Sequence, residues 1–469
     1  MPIPKGAVDD AAAYAANWFD YRIQALQVPG AVMAIQHDDR LVVSHAAGLA
    51  DLEEKVAMRP DHRFRIASHS KTFTATALMT LVERGRVRLD DRLDVWLPWL
   101  AEAADARMGR ATLRDVLSHT AGIIRDGVDV PWWALTGPFH DAASLRDAVT
   151  ETPAVIDRMT RFKYSNIGYS LLGLVIEAVT GEPYAEVVRR EIVDRLGLSN
   201  TEPEPSETSA FATPYSSKKH GLARRRLPSL DTRGMAAATG FSSTAADLCR
   251  YGRAHFLGNE ELLSDESKRQ LHHEHWRVEG GRRGHYALGF HVFTIGDRRV
   301  ISHGGGFPGY ITFTIIDPVD RLVVTVLTNA IDGPAEALAT GIVRLIGLAE
   351  SCDPATSAGE GDLHRYAGRF LGLWSTTDIV RFGDSLFAID PDLPDPVVDV
   401  TRLEVADRDA LRIADTAGFG SYGESVTFDR NERDEVAAVH FAGGRLLPYD
   451  AYVAELDDRC AGRMLSPGS

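Results

Sequence analysis

Two β-hairpin signals stand nearly the length of a domain apart in this chain. "GAVMAIQHDDRLVVSHAAGLAD" (Gly30–Asp51) carries two apolar, β-branched runs around the turn-forming "HDDR". "YITFTIID" and "RLVVTVLTN" (Tyr310–Asn329) flank "PVDR" in the same way. An antiparallel sheet that takes strands from both ends of this region, with helices between, is the expected architecture.

The intervening periodicity is helical. Phe73, Ala77, Leu78, Leu81 and Val82 recur at three- and four-residue spacing until Gly85, which predicts a buried helix over Lys71–Arg84 with Ser68 at its N-terminal mouth. Further helices are predicted over Thr112–Leu117 and Gly168–Val179, stopped by Gly122 and Gly181, and an amphipathic segment over Pro334–Leu348. The polar, proline-punctuated stretch Thr201–Gly234 reads as a lid, a binding loop or a poorly ordered segment.

A chain of 469 residues exceeds what one core usually organises. "AESCDPATSAGEGD" (Ala349–Asp362) has a linker's composition, and the short alternating runs beyond it, such as "SVTFDR" and "VAAVHFAGG", predict a separate antiparallel β domain. The expected organisation is a main domain over 1–348, a linker over 349–362 and a small β-barrel-like domain over 363–469.

A formal charge of −15 argues against nucleic-acid binding, which requires a clustered positive face. The basic run "SKKHGLARRR" (Ser217–Arg226) reads as a solvated loop. Cys249, Cys352 and Cys460 are odd in number and widely spaced, which excludes a disulfide framework and suits a reducing compartment. No apolar run approaches membrane length and the first residues lack a signal-peptide core, so a cytoplasmic chain without membrane contact is expected.

The chemistry is carried by "RIASHSKTF". On a helix, residues three apart share a face, so Lys71 would direct its amine toward the Ser68 hydroxyl. A serine needs a base to act as a nucleophile, and a lysine serves only if burial or a nearby positive dipole lowers its pKa. A helix N-terminus supplies that dipole together with N–H groups for an oxyanion. Taken alone, the pair reads first as a helix cap and a surface charge.

Two companions add weight. In "KYSNIGYSLLG", Tyr164 and Asn166 lie two apart before a helix, so in extended backbone the phenol and amide could face one cavity. In "VISHGGGFPGYITF", His303 precedes Gly304, Gly305 and Gly306 at the edge of a predicted strand, where glycines permit close approach to the backbone. "LHHEHW" (Leu271–Trp276) lacks metal-ligand spacing and reads as a histidine-rich surface turn; no metal or cofactor is expected.

The order Ser-x-x-Lys, Tyr-x-Asn, His-x-Gly, with the connecting text "ATLRDVLSHTAGI", "ATGFSSTAADLCRYGRA" and "SHGGGFPGY", resembles the serine beta-lactamase-related hydrolases. That family includes class C beta-lactamases, DD-carboxypeptidases, D-aminopeptidases and esterases. The resemblance spans about residues 25 to 345, and the segment from Tyr366 resembles the small barrel appended to many such hydrolases. It implies an α/β (α+β) beta-lactamase/transpeptidase-like fold with a central antiparallel sheet flanked by helices.

It further implies Ser68 as the acylated nucleophile, Lys71 as its activator and Tyr164 as the proton relay. Asn166 would orient the substrate, His303 would stand where lysine is common, and the Ser68 and Gly306 N–H groups would hold the oxyanion beside Gly304 and Gly305. The expected substrates are small-molecule esters, amides or short peptides. Alternatives are an acyltransferase using the same acyl-enzyme and a non-catalytic binding or regulatory protein on this fold; the sequence is compatible with a homo-oligomer. Substrate choice would depend on Thr201–Gly234 and on "VDVPWWALTGPF", whose Trp132, Trp133 and Phe139 could line an acyl pocket or pack a lid.

Overall fold

The computed structural model describes residues 3–151, 154–205, 210–219, 221–280, 284–353, 363–417 and 420–461. Much of the expected linker, 354–362, and the end of the expected barrel domain, 462–469, lie outside them. The chain forms two compact units. One is Gln27–Ala339; the other joins Met1–Leu26 to Thr340–Ser469.

In the larger unit the two hairpin signals meet. Strands β1 (Gly30–His37), β2 (Arg40–Asp51) and β3 (Val56–Ala57) form one side of a nine-stranded sheet among the described residues. β4 (Phe64–Arg65) and β5 (Ser242–Ser243) pair separately. The other side of the large sheet is built from β6 (Trp276–Val278), β7 (Gly284–Tyr286), β8 (His291–Ile295), β9 (Arg298–Phe307), β10 (Tyr310–Asp317) and β11 (Leu322–Thr328). The order is β3-β2-β1-β11-β10-β9-β8-β7-β6. β1 pairs antiparallel with β11 from Ala31↔Thr328 to His37↔Leu322, so the seam between the distant hairpins is a continuous ladder.

The helices predicted between the hairpins form. Helix α1 (Lys5–Ala25) belongs to the smaller unit; α2 (Ser70–Glu83), α3 (Leu113–Leu117) and α4 (Asn166–Thr180) belong to the larger. A reciprocal Thr112–Asp115 capping box starts α3. The Ser165 side chain accepts from the Gly168 N–H at the start of α4, and Gly181, at φ +74°, ends it. The residues of α2 from Ser70 to Leu81 are all buried, in a core shared with Phe64, Trp132, Phe139, Leu172 and Phe241. The Thr201–Gly234 stretch is pinned to its surroundings: Tyr215 N–H donates to the Asn329 carbonyl, Arg224 pairs with Asp332 at 2.6 Å and Arg226 with Asp51 at 2.6 Å. The basic run is therefore more than a solvated loop.

The smaller unit contains a closed barrel of eight antiparallel strands among the described residues, between Gly368 and Pro448. It closes through Phe370↔Pro448 and Leu371↔Leu447. Alternate residues such as Leu411, Ile413, Val426 and Phe428 fill its interior. Unlike the expected division at 348, this unit also takes α1. Tyr14 hydroxyl donates to Asp378 at 2.8 Å, Tyr21 hydroxyl to Asp392 at 2.7 Å, and the Gly383 N–H to Asp10 at 2.8 Å. Ala11, Ala15, Trp18 and Phe19 of α1 are fully buried. The helical period shows that α1 has an apolar face, but nothing local in the sequence says which layer receives it.

Asp378 is the polar center of this attachment, since Arg369 also grips both of its oxygens at 2.7 Å. Asp378→Ala would strand the buried Tyr14 phenol and leave the partly exposed Arg369 guanidinium without its carboxylate. A loss on the order of 3 kcal/mol is expected in the urea unfolding transition of this unit.

Candidate active site

The chain delivers Ser68 through a short, over-determined turn. Ile66 N–H donates to the Phe241 carbonyl at 2.9 Å, and β4 is held by β5 immediately before it. Ala67 then adopts φ +46°, a left-handed conformation that costs a non-glycine residue free energy and persists only where its surroundings impose it. Ser70 Oγ donates to the Ala67 carbonyl at 2.5 Å and accepts from the Phe241 N–H at 3.1 Å, locking the turn. Ser68 thus sits in the 3₁₀ turn Ala67–His69 that runs into α2, where first-turn N–H groups have no intrahelical partner.

Two groups converge on its hydroxyl. Tyr164 OH donates to Ser68 Oγ at 2.8 Å, and Lys71 Nζ lies 3.1 Å from the same oxygen. Lys71 also donates to Asn166 Oδ1 at 2.6 Å and to the Ala238 carbonyl at 2.7 Å. Asn166 Nδ2 donates to Asp126 at 2.6 Å, which fixes the amide with its oxygen toward Lys71. Ser165 is extended, at φ −142° and ψ 118°, and Tyr164 and Asn166 both line the cleft that contains Ser68.

Lys71 has no exposed surface. Burial drives its pKa well below the ordinary lysine value; the Asp126 charge opposes this and the Arg125 charge adds to it. A neutral amine has two N–H donors and one lone pair. With both donors engaged by Asn166 and Ala238, which offer only acceptor oxygens there, the lone pair faces Ser68.

His303 is buried on the opposite wall. Its Nδ1 lies 2.7 Å from the Gly304 carbonyl and its Nε2 lies 3.0 Å from Tyr286 OH. A neutral imidazole donating from Nδ1 and accepting at Nε2 satisfies both contacts. Of the three glycines, Gly305 is required by packing, because a Cβ there would stand 2.0 Å from the Ile66 carbonyl oxygen. Gly306 is not so required; its nearest neighbour would be Ile311 Cδ1 at 3.6 Å.

Ser68, Tyr164, Asn166, His303 and the three glycines line a cavity of about 360 Å3 whose remaining wall includes Trp133, Phe162, Tyr286 and Phe313. Trp132 and Phe139 instead stack on each other at 5.4 Å in the core. The "LHHEHW" expectation holds only in part: His272 is buried against His255 at 3.2 Å, whereas His273 is exposed.

Several contributors were invisible as motifs. Asp126 and Arg125 lie in a loop, and the Ala238 carbonyl carries no side-chain signature. His119 is buried with ring centroids 4.2 Å from Tyr164 and 4.7 Å from Tyr286. It accepts the Ser165 N–H at Nδ1, and burial holds it neutral. The signal for Ala238 lay in "ATGFSSTAADLCRYGRA", which the resemblance includes without giving a reason for it.

The Beta-lactamase family profile matches residues 15–348. Penicillin-binding protein 4* of Bacillus subtilis is 26% identical over 321 residues, covering 65% of this chain and 68% of that protein. Esterase EstB of Burkholderia gladioli is 30% identical over 226 residues, covering 44% of this chain and 56% of the esterase. In these two relatives the match therefore spans little more than half to two thirds of their length. The fold is also that of D-amino acid amidase from Ochrobactrum anthropi SV3, with a TM-score of 0.64 at 22% identity over 73% of this chain and all of the amidase chain.

The glycine geometry separates packing from access. Gly305→Ala forces the β9 backbone away from Ile66 and is expected to cost on the order of 2 kcal/mol. Gly306→Ala is expected to stay within about 0.5 kcal/mol of the parent. Thermal unfolding of the two variants side by side measures the difference.

Proposed function

The chain belongs to the beta-lactamase family, and from that premise we propose that it hydrolyses ester or amide bonds of small molecules through an acyl-enzyme on Ser68. The observation that carries this reading is the convergence of Tyr164 OH and Lys71 Nζ on one serine oxygen at 2.8 and 3.1 Å.

In the first step the Ser68 proton passes toward the Lys71 lone pair as Oγ attacks the carbonyl carbon. The oxyanion forms against the N–H groups of Ser68 and Gly306, donors fixed before the reaction begins. Tyr164, already hydrogen-bonded to Oγ, is placed to hand a proton to the departing alcohol or amine. Water then attacks the acyl-enzyme with the same groups acting in reverse, and Ser68 is restored.

The bond class follows from the opposite wall. His303, tied to Gly304 and Tyr286, offers a substrate carboxylate a less permanent charge than a lysine in that place would. Arg125 reaches the cleft but is two-thirds exposed and already engaged with Asp126. Phe162, Tyr286, Phe313 and Trp133 supply apolar surface instead. This favours esters and amides with a neutral, partly aromatic acyl group over peptides or beta-lactams that depend on a terminal carboxylate. An esterase is among the similar proteins, beside a penicillin-binding protein.

Intact-protein mass spectrometry after separate exposure to an aryl ester, a D-amino-acid amide and a penicillin tests the reading. A mass gain or turnover with ester or amide that disappears in Ser68→Ala is expected; activity retained by Ser68→Ala would exclude the covalent route. Tyr164→Phe is expected to lower kcat by about 10²–10⁴-fold.

The acidic limb of kcat/KM tests Lys71. The reaction needs the neutral amine, so the rate rises with pH through the Lys71 pKa, which burial places below the ordinary lysine range. The Arg125 charge lowers that pKa further. Arg125→Gln should therefore move the limb to higher pH, a displacement read from the pH–rate profile.

A further inference from the structure

Away from the Ser68 cleft, the larger unit holds a second cavity of about 640 Å3, lined in part by Arg65, Glu204, Leu230, Asp231, Phe307 and Tyr310. No lining residue is shared with the Ser68 cleft among the described residues. Arg65 is only 5% exposed, and its Nε and Nη2 have no hydrogen-bond partner among the described residues. Its close contact is the Phe307 ring, 4.7 Å from the guanidinium carbon. Burial lowers its pKa to about 10, so the group keeps its charge at neutral pH.

A buried guanidinium with free donors is among the costliest arrangements in a protein interior, and native structures rarely keep one without a purpose. Among the described residues, none of the other charges around it forms an ion pair with Arg65. Arg226 is held by Asp51 at 2.6 Å. Asp231 and Glu204 act on Arg65 only through space.

We propose that this cavity is a second small-molecule site, which binds a monocarboxylate with a compact apolar body. The carboxylate matches the planar fork of Arg65, which can donate two parallel hydrogen bonds to it. Phe307, Leu230 and Tyr310 give the body an apolar bed. Glu204 and Asp231 set the charge limit, because their field repels a phosphate or a dicarboxylate more strongly than a single carboxylate.

The position gives the site a route to the reaction center. Arg65 ends β4, three residues before Ser68, and Phe307 ends β9, one residue after Gly306. A ligand held at Arg65 therefore rests against both backbone segments whose N–H groups frame the proposed oxyanion site.

The test uses the full chain with 4-bromophenylacetate and its neutral amide as probes. Crystals soaked in the carboxylate should show bromine anomalous density in this cavity, with the carboxylate on Arg65. Calorimetry should show binding weakened at least about tenfold for 4-bromophenylacetamide and for Arg65→Met. Density confined to the Ser68 cleft, no density, or equal affinity for carboxylate and amide would overturn the proposal. If Arg65→Met does not fold, the crystal and the carboxylate–amide comparison on the parent chain decide the matter.

Discussion

Lys71 spends its whole side chain inside the protein, and an ammonium in that position would have to be solvated by the three oxygens it meets. Burial shifts the balance toward the neutral amine, and the two acceptor-only partners then determine where its lone pair points. Much of the surrounding structure serves this placement. Asp126 holds Asn166 in the required flip, α4 begins at Asn166, and the segment containing Ala238 reaches α2 again through the Thr74 hydroxyl, which donates to the Ala237 carbonyl at 2.7 Å.

The sheet supplies the opposite wall. Because β1 zips onto β11, the strands carrying His303 and the glycines are fixed relative to a hairpin far away in sequence. Gly305 lets β9 lie against the Ile66 carbonyl, and Phe307 closes over Arg65. The turn before Ser68 is thereby held from the helix side by Ser70 and Phe241 and from the sheet side by β9. Ala67 can keep its left-handed conformation only in such a setting.

What was legible in the sequence was whatever repeats locally. The α2 period, the apolar period of α4 and the stop at Gly181 all depend on neighbours within a few positions, and the structure has them within a residue or two of expectation. Ser68 and Lys71 could be paired because three residues on a helix share a face. Tyr164 and Asn166 could be added because extended backbone puts alternate side chains on one side. Asp126, His119 and the Ala238 carbonyl could not be placed, since their roles arise from tertiary approach and two of them use burial or a backbone oxygen instead of a recognisable motif. The docking of α1 onto the barrel unit was hidden for the same reason: Tyr14 and Asp378 meet across 364 positions of sequence.

The neutral state of Lys71 is the claim on which the account turns, and it can be observed without turnover. The chain would be labelled with ¹³C-lysine and the Cε resonances followed against pH, with Lys71 assigned by its loss in Lys71→Met. A Lys71 signal that titrates well below those of the other lysines is the predicted result. A signal that stays protonated and titrates with exposed lysines near about 10.4 would contradict it.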